Sequence, residues 1–211
     1  MNITTFFTLT SLLTSVALAH PTSYKGATGV MSYNTPKMTE ILLTYSLQHN
    51  FAISTTYLQD SNSKFYVPRL NYLVQRWNNE DSQGNFYLSA GAGLEDYAGK
   101  KYGVRLAELV ADWESREYYI YLDHIYLNRD NEQNNNLLQK HYNHTKFRVG
   151  TAPFLADYEE LNVWLILQAE KHLDEPQIDL TQFLRFYVKN VLWEVGAGLN
   201  GNWAFNYMIH F

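Results

Sequence analysis

The chain runs to Phe211 through Trp203-Ala-Phe-Asn-Tyr-Met-Ile-His-Phe211. Trp203, Phe205, Tyr207, Ile209 and Phe211 alternate with Ala204, Asn206, Met208 and His210. Successive side chains of a strand point to opposite faces. A strict period of two over this length therefore specifies a strand with one apolar, largely aromatic face. The same alternation recurs upstream in Ile41/Leu43/Tyr45/Leu47, Leu161/Val163/Leu165/Leu167, Leu180/Leu184/Phe186/Val188 and Val191/Trp193/Val195/Ala197. Thr44, Ser46, Asn162, Gln168, Thr181, Arg185 and Glu194 sit between the apolar positions. Few segments carry helical periodicity. The pattern predicts an all-β chain with twelve strands, over 26–34, 39–48, 51–59, 64–77, 85–95, 102–113, 116–129, 138–154, 159–171, 179–189, 190–198 and 202–211. The count becomes ten if two of the shorter segments merge or fail.

The predicted connections differ in length. His49-Asn50 and Lys189-Asn190 are as short as tight hairpin turns, and Trp113-Glu-Ser-Arg116 is nearly so. Between them fall more polar connections: Asp60 to Lys64, Asp96 to Lys101, Arg129 to Gln139 and His172 to Gln177. Counting hairpins from one end puts the tight turns on one side and the polar loops, including Asn131 to Asn136, on the other. The segments 78–84 and 155–160 fit this asymmetry less well. Gly-Ala-Gly-Leu occurs at 91–94 and again at 196–199, too short for an internal repeat. Its small residues mark places where bulky neighbours or strand curvature need room.

The final strand resembles the closing strand of bacterial outer-membrane β-barrels, in which an aromatic C-terminus with alternating apolar residues is the assembly signal. On that resemblance Trp203, Phe205, Tyr207, Ile209 and Phe211 are the signal. The fold it implies is a transmembrane antiparallel up-and-down β-barrel, held in outer-membrane lipid and recognised by the barrel-assembly machinery of a Gram-negative cell. Phe6 to Ala17 is an apolar and Thr/Ser stretch of secretory length, followed by Ala17-Leu18-Ala19 before His20. That is the pattern of a signal peptide cleaved near Ala19, although no Lys or Arg precedes its core. Residues 1–19 are then the signal peptide and 20–211 a single barrel domain. Both termini lie in the periplasm if the strand number is even.

Composition sets further bounds. There are 17 Tyr, 5 Trp and 11 Phe but no Cys, so no disulfide holds the chain. A formal charge of −5 argues against nucleic acid as a partner. Mean hydropathy of −0.33 suits a barrel, in which only alternate residues must be apolar. Trp77, Trp113, Trp193 and Trp203 lie near predicted strand ends, where interfacial aromatic girdles would place them. A soluble periplasmic β-sandwich or lipocalin-like barrel alternates in the same way with its faces reversed. Alternation alone does not say which face is wet.

In a membrane barrel the polar parity lines the lumen. That set includes Glu40, Arg69, Glu108, Asp123, Lys146, Arg148, Arg185 and Glu194, with Asn71, Gln75 and Lys189. Both signs occur. They either neutralise one another and fill a narrow interior or form opposed patches across a small pore. Twelve strands lie between the side-chain-filled and the open regimes. Arg148, Arg185 and Arg69 are the candidates for anion selection. The expected function is a narrow porin-like channel for small polar solutes. The alternative is a barrel with a closed lumen that contacts an envelope partner, and a lipid-modifying barrel enzyme ranks behind both. No His–Ser pairing stands out locally, so no catalytic residue is assigned, and no cofactor or metal is implied. His20 would be the mature N-terminus and could chelate copper, but an incidental position is the simpler reading. His141 and His144, three apart, fall on opposite faces of a strand.

Overall fold

The computed structural model describes residues 20–130, 141–157, 159–172 and 176–211. The signal peptide, its cleavage near Ala19 and the Asn131 to Asn136 loop lie outside these residues. The strands are Thr28–Asn34 (β1), Thr39–Gln48 (β2), Phe51–Gln59 (β3), Ser63–Asn78 (β4), Ser82–Tyr97 (β5) and Lys100–Ser115 (β6). They continue as Tyr118–Asp130 (β7), His141–Thr151 (β8), Asn162–His172 (β9), Asp179–Val188 (β10), Val191–Gly198 (β11) and Trp203–His210 (β12). Each strand pairs antiparallel with the next, and β12 returns to β1, closing a twelve-strand barrel. All twelve fall within three residues of the boundaries the alternation predicts.

The aromatic face of β12 points outward. Trp203, Phe205 and Phe211 are exposed, and Ala204, Asn206, Met208 and His210 are buried. Across the neighbouring strands the same outward parity carries Leu165, Leu184 and Val195, all exposed and in register with one another. Leu43, Ile53, Leu70, Leu88, Ile120 and Phe147 extend this apolar surface around the barrel. Arg69, Glu108, Lys146, Arg148, Arg185 and Glu194 are buried inside. The faces are thus reversed relative to a soluble barrel. The outer surface is built for hydrocarbon, and this is a transmembrane barrel. Trp77, Trp113, Trp193 and Trp203 are all outward and exposed near strand ends, as girdle residues are.

Closure satisfies the backbone. Gly29 to Asn34 pair with His210 to Phe205, and beyond them the Phe211 N–H donates to Thr28 O at 2.8 Å. No strand edge is left to face lipid, where an unpaired backbone group is costly.

Local irregularities and close approaches interrupt the regular wall. A bulge at Val74 separates the pairs Leu73–Tyr87 and Gln75–Phe86. It moves Gln75 to the exposed side and turns Arg76 inward, so Gln75 does not line the lumen. Opposite Pro68, which lacks an N–H to donate, the β4–β5 pairing is interrupted between Tyr66–Leu94 and Arg69–Gly91. There the strands press together: a Cβ on Gly93 would lie 2.0 Å from Tyr66 O, and one on Gly91 2.6 Å from Pro68 O. In the second Gly-Ala-Gly-Leu, a Cβ on Gly196 would meet the Phe183 ring at 2.6 Å. Both copies make room for a neighbour, as their composition suggests.

The connections correct the expected asymmetry. His49-Asn50 and Lys189-Asn190 are two-residue turns at what we call the turn end. Ala98-Gly99, at the opposite loop end, is equally tight. Both its residues have positive φ, 49° and 80°, which Gly adopts freely and Ala at some cost. Conversely, β8 and β9 are joined at the turn end by a long segment, 152–161. Lys189 (φ 53°) sits in its turn and pairs with Glu159 at 3.6 Å, exposed and outside the lumen.

Two outcomes follow. Leu184→Arg places a cation on the outward face at mid-strand and lowers stability in lipid vesicles by about 2–4 kcal/mol, read by denaturant unfolding; a water-exposed face would tolerate it. Gly93→Ala forces β4 and β5 apart and costs about 1–3 kcal/mol in the same measurement, with Ala92→Gly as the small-residue control.

Candidate functional site

The strands enclose a lumen, and the inner parity of each strand fills it. Four groups of apolar side chains point inward. The largest comprises Leu58, Phe65, Val67, Val104, Leu106, Ile125 and Leu127, and a second is Tyr119, Trp164, Ile166, Phe183 and Ala204. Met31, Leu42, Tyr187, Leu192 and Met208 form a third, and Leu73, Tyr87 and Val110 a fourth. Sequence alternation missed this apolar content because it identifies polar residues on the inner face, not the size of their inward neighbours.

Ion pairs run between these groups. Glu194 is the centre of the densest one. Its carboxylate accepts from Arg185 Nε at 2.7 Å, from Arg148 Nη2 at 2.8 Å and from Asn206 Nδ2 at 2.6 Å. The register explains the set. Arg185 and Asn206 lie directly opposite Glu194 on the two flanking strands, and Arg148 reaches from β8 across the interior. The guanidinium groups also cover aromatic rings, Arg148 over Phe183 and Arg185 over Tyr119. Two cations face this one carboxylate, and Glu114 on β6 is near enough to Arg185 to offset part of their charge.

The remaining predicted lining residues distribute along the barrel. Arg69 Nη1 meets Glu108 Oε2 at 3.0 Å, and Lys146 Nζ meets Asp123 Oδ2 at 3.8 Å beside the Tyr33 ring. Glu40 is half-buried on the inner parity of β2. The structure adds Glu95, buried and bound by Arg129 Nε at 3.0 Å and Ser63 Oγ at 2.6 Å. It also adds the buried pair Asp112 and Glu114 on β6. The cavity that remains between the side chains measures about 40 Å³. At roughly 10–15 Å³ per water-sized probe, that holds a few water molecules.

Residues 20–23 enter this interior. The His20 ring stacks on Tyr87 at 5.6 Å, and its Nδ1 lies 3.4 Å from Asp112 Oδ2. Pro21 O accepts from Thr44 Oγ1 at 3.3 Å, Thr22 is fully buried, and the Ser23 N–H donates to Ser46 Oγ at 2.8 Å. No sequence signal announced this, since a short polar segment before a strand reads as a linker. At the loop end, His144, Glu170 and His172 come together from β8 and β9. They escaped sequence reading because the two histidines belong to different strands and meet only through the register.

A closed transmembrane barrel of twelve strands with an ion-paired lumen is the class these features define. Among solved structures the chain is similar to the KdgM porin in complex with disordered oligogalacturonate, at 11% identity and a TM-score of 0.50, over 88% of this chain and 98% of that one. Another KdgM porin structure matches over the same shares at 10% identity and a TM-score of 0.48. OmpTdeltaL8, a loop L8 deletion mutant of an outer membrane protein of Vibrio cholerae, matches at 8% identity and a TM-score of 0.31, over the same shares. The first of these likenesses establishes a shared fold, that of a porin barrel. No family model and no curated protein matches the chain.

Breaking one partner of a buried ion network leaves the others uncompensated. Glu194→Leu should cost about 3–5 kcal/mol in denaturant unfolding. A triple variant with Arg148→Met and Arg185→Met added should recover most of that loss. Equal instability of the single and triple variants would show that packing, not charge, sets the cost.

Proposed function

We propose that this chain is a porin-like barrel of a Gram-negative outer membrane, and that its lumen is a narrow conduit for small polar solutes that rests constricted. The carrying observation is the polar inner face that continues from one rim to the other. It passes from Glu95–Arg129 at the loop end, through Arg69–Glu108 and Lys146–Asp123, to Asp112 toward the turn end. Ser89 Oγ, Glu114 Oε2, Asp123 Oδ1 and both ring nitrogens of His210 meet no hydrogen-bond partner among the described residues. Buried polar atoms of that kind are satisfied by water, which supports a hydrated path. The two guanidinium groups that converge on Glu194 favour anionic over cationic solutes at that level. Arg69, paired one-to-one with Glu108, contributes less to that preference.

In this reading the N-terminal stretch is a signal peptide removed near Ala19, and β12 through Phe211 is engaged by the barrel-assembly machinery. The protein carries solutes and does no chemistry on them. A second reading is favoured by the four inward apolar groups and the cavity of about 40 Å³. There the lumen is permanently sealed, and the barrel holds an envelope partner at its loops.

Single-channel recording in a planar bilayer separates the two. The mature protein should give small, discrete steps with anions more permeant than cations. A variant lacking residues 20–23 should give larger steps, because that segment leaves the lumen. A folded, inserted barrel that stays silent in both forms would overturn the conduit reading in favour of the sealed one.

A further inference from the structure

The loop-end cluster on β8 and β9 has a geometry that ion pairing does not require. His144 lies opposite His172 in the register, and Lys146 lies opposite Glu170. All four side chains share the inner parity. Both imidazoles direct Nε2 at the same atom, Glu170 Oε1, His144 at 2.7 Å and His172 at 3.1 Å. The rings lie nearly parallel, 13° apart, with centroids 4.5 Å apart. The potential ligand atoms of the three residues all lie within 4.8 Å of one another. A single carboxylate oxygen facing two imidazole nitrogens is where a cation with nitrogen and oxygen ligands would sit.

We propose that His144, Glu170 and His172 form a binding site for a divalent transition-metal ion of the zinc type. Zinc takes imidazole nitrogen and carboxylate oxygen at about 2.0–2.2 Å, which puts neighbouring ligands of a tetrahedral site about 3.3 Å apart. Both nitrogen–oxygen distances here, 2.7 and 3.1 Å, are shorter than that value, so the ligands need to part by only a few tenths of an ångström, within the reach of side-chain rotation, to admit the ion. Three protein ligands leave a fourth position for water or an exogenous group. Gln168 Nε2 donates to the other carboxylate oxygen, Glu170 Oε2, at 2.7 Å. That contact orients the carboxylate with Oε1 toward the histidines, the role an outer-sphere hydrogen bond plays at metal sites. Side-chain exposure rises from 5% at His144 through 13% at Glu170 to 20% at His172, so the site opens toward the rim. The rim is therefore the side from which an aqueous ion would enter.

One neighbour opposes the ion. Lys146 lies beside Glu170 in the register, and its ammonium repels a dication. Asp123, 3.8 Å from Lys146 Nζ, offsets that charge. The balance predicts a site of moderate affinity, stronger for zinc, nickel or copper than for calcium or magnesium, which prefer an all-oxygen shell. This inference is independent of whether the lumen conducts.

The test uses the full barrel refolded in detergent, stripped with a chelator and titrated with Zn²⁺ alone by calorimetry. One zinc per chain is expected. His172→Gln, at the open rim, should weaken binding on the order of 100-fold, and Gln168→Leu about 10-fold, since outer-sphere partners typically contribute 10–100-fold. His124→Gln should bind as the wild type does, because His124 lies on the outward face and bonds Thr145 Oγ1. Co²⁺ in place of zinc reads the ligand set directly, through visible absorption that disappears in His172→Gln. Heat-modifiable gel mobility confirms that each variant is folded, and Glu170→Gln serves as the second ligand variant if His172→Gln does not fold. Absence of zinc binding in the folded wild type, or equal affinity in wild type and both ligand variants, overturns the proposal.

Discussion

Every backbone N–H and C=O that crosses the hydrocarbon layer must find a partner within the protein, because lipid offers none. A sheet meets that condition only by closing on itself, and here closure is the pairing of β1 with β12. The rest of the structure follows from it. Once the sheet closes, one parity of every strand faces lipid and must be apolar, and the other parity is confined inside. The residues confined there include more than a dozen charged or strongly polar groups. They are taken out of bulk water together, so they must be satisfied by one another or by water held in the lumen. Glu194 is stable in the interior only because Arg148, Arg185 and Asn206 converge on it from three strands.

Much of this was legible in the sequence, and the reasons are specific. A period of two survives any register, so the twelve strands and their parities could be read directly. Trp203 to Phe211 and the inward set from Arg69 to Glu194 are examples. Which face is wet could not be read, because alternation is symmetric between a soluble and a membrane barrel. The Val74 bulge was invisible too. One extra residue reverses parity for the rest of its strand, which is why Arg76 occupies the inner position that Gln75 would have taken. Loop lengths followed composition poorly at Ala98-Gly99, where a two-residue turn is embedded in a polar stretch.

The site was legible in part. Individual charges could be assigned to the inside, but their partners could not, since Arg148 and Glu194 are joined by three intervening pairings, not by sequence proximity. The same holds for His144 and His172, which are neighbours only because β8 and β9 align there. The interior placement of His20 to Ser23 depends on the space left between Tyr87, Thr44 and Ser46, a quantity that no local pattern encodes. The interior therefore combines three kinds of content, namely apolar packing, ion pairs and a segment of the chain itself. Each narrows the lumen by a different means.

The strands are of unequal length. β4, β5 and β6 have 16 residues each, whereas β1, β11 and β12 have 7, 8 and 8. A strand needs about 9–11 residues to cross a bilayer of ordinary thickness. The wall is therefore tall on one side and low at the seam where the sheet closes. Lipid beside β1 and β12 must thin to match that low side, while lipid beside β5 meets a wall that overreaches it. The barrel carries a built-in dent in its membrane, always at the same edge, and any neighbour that prefers a thinner bilayer will gather there.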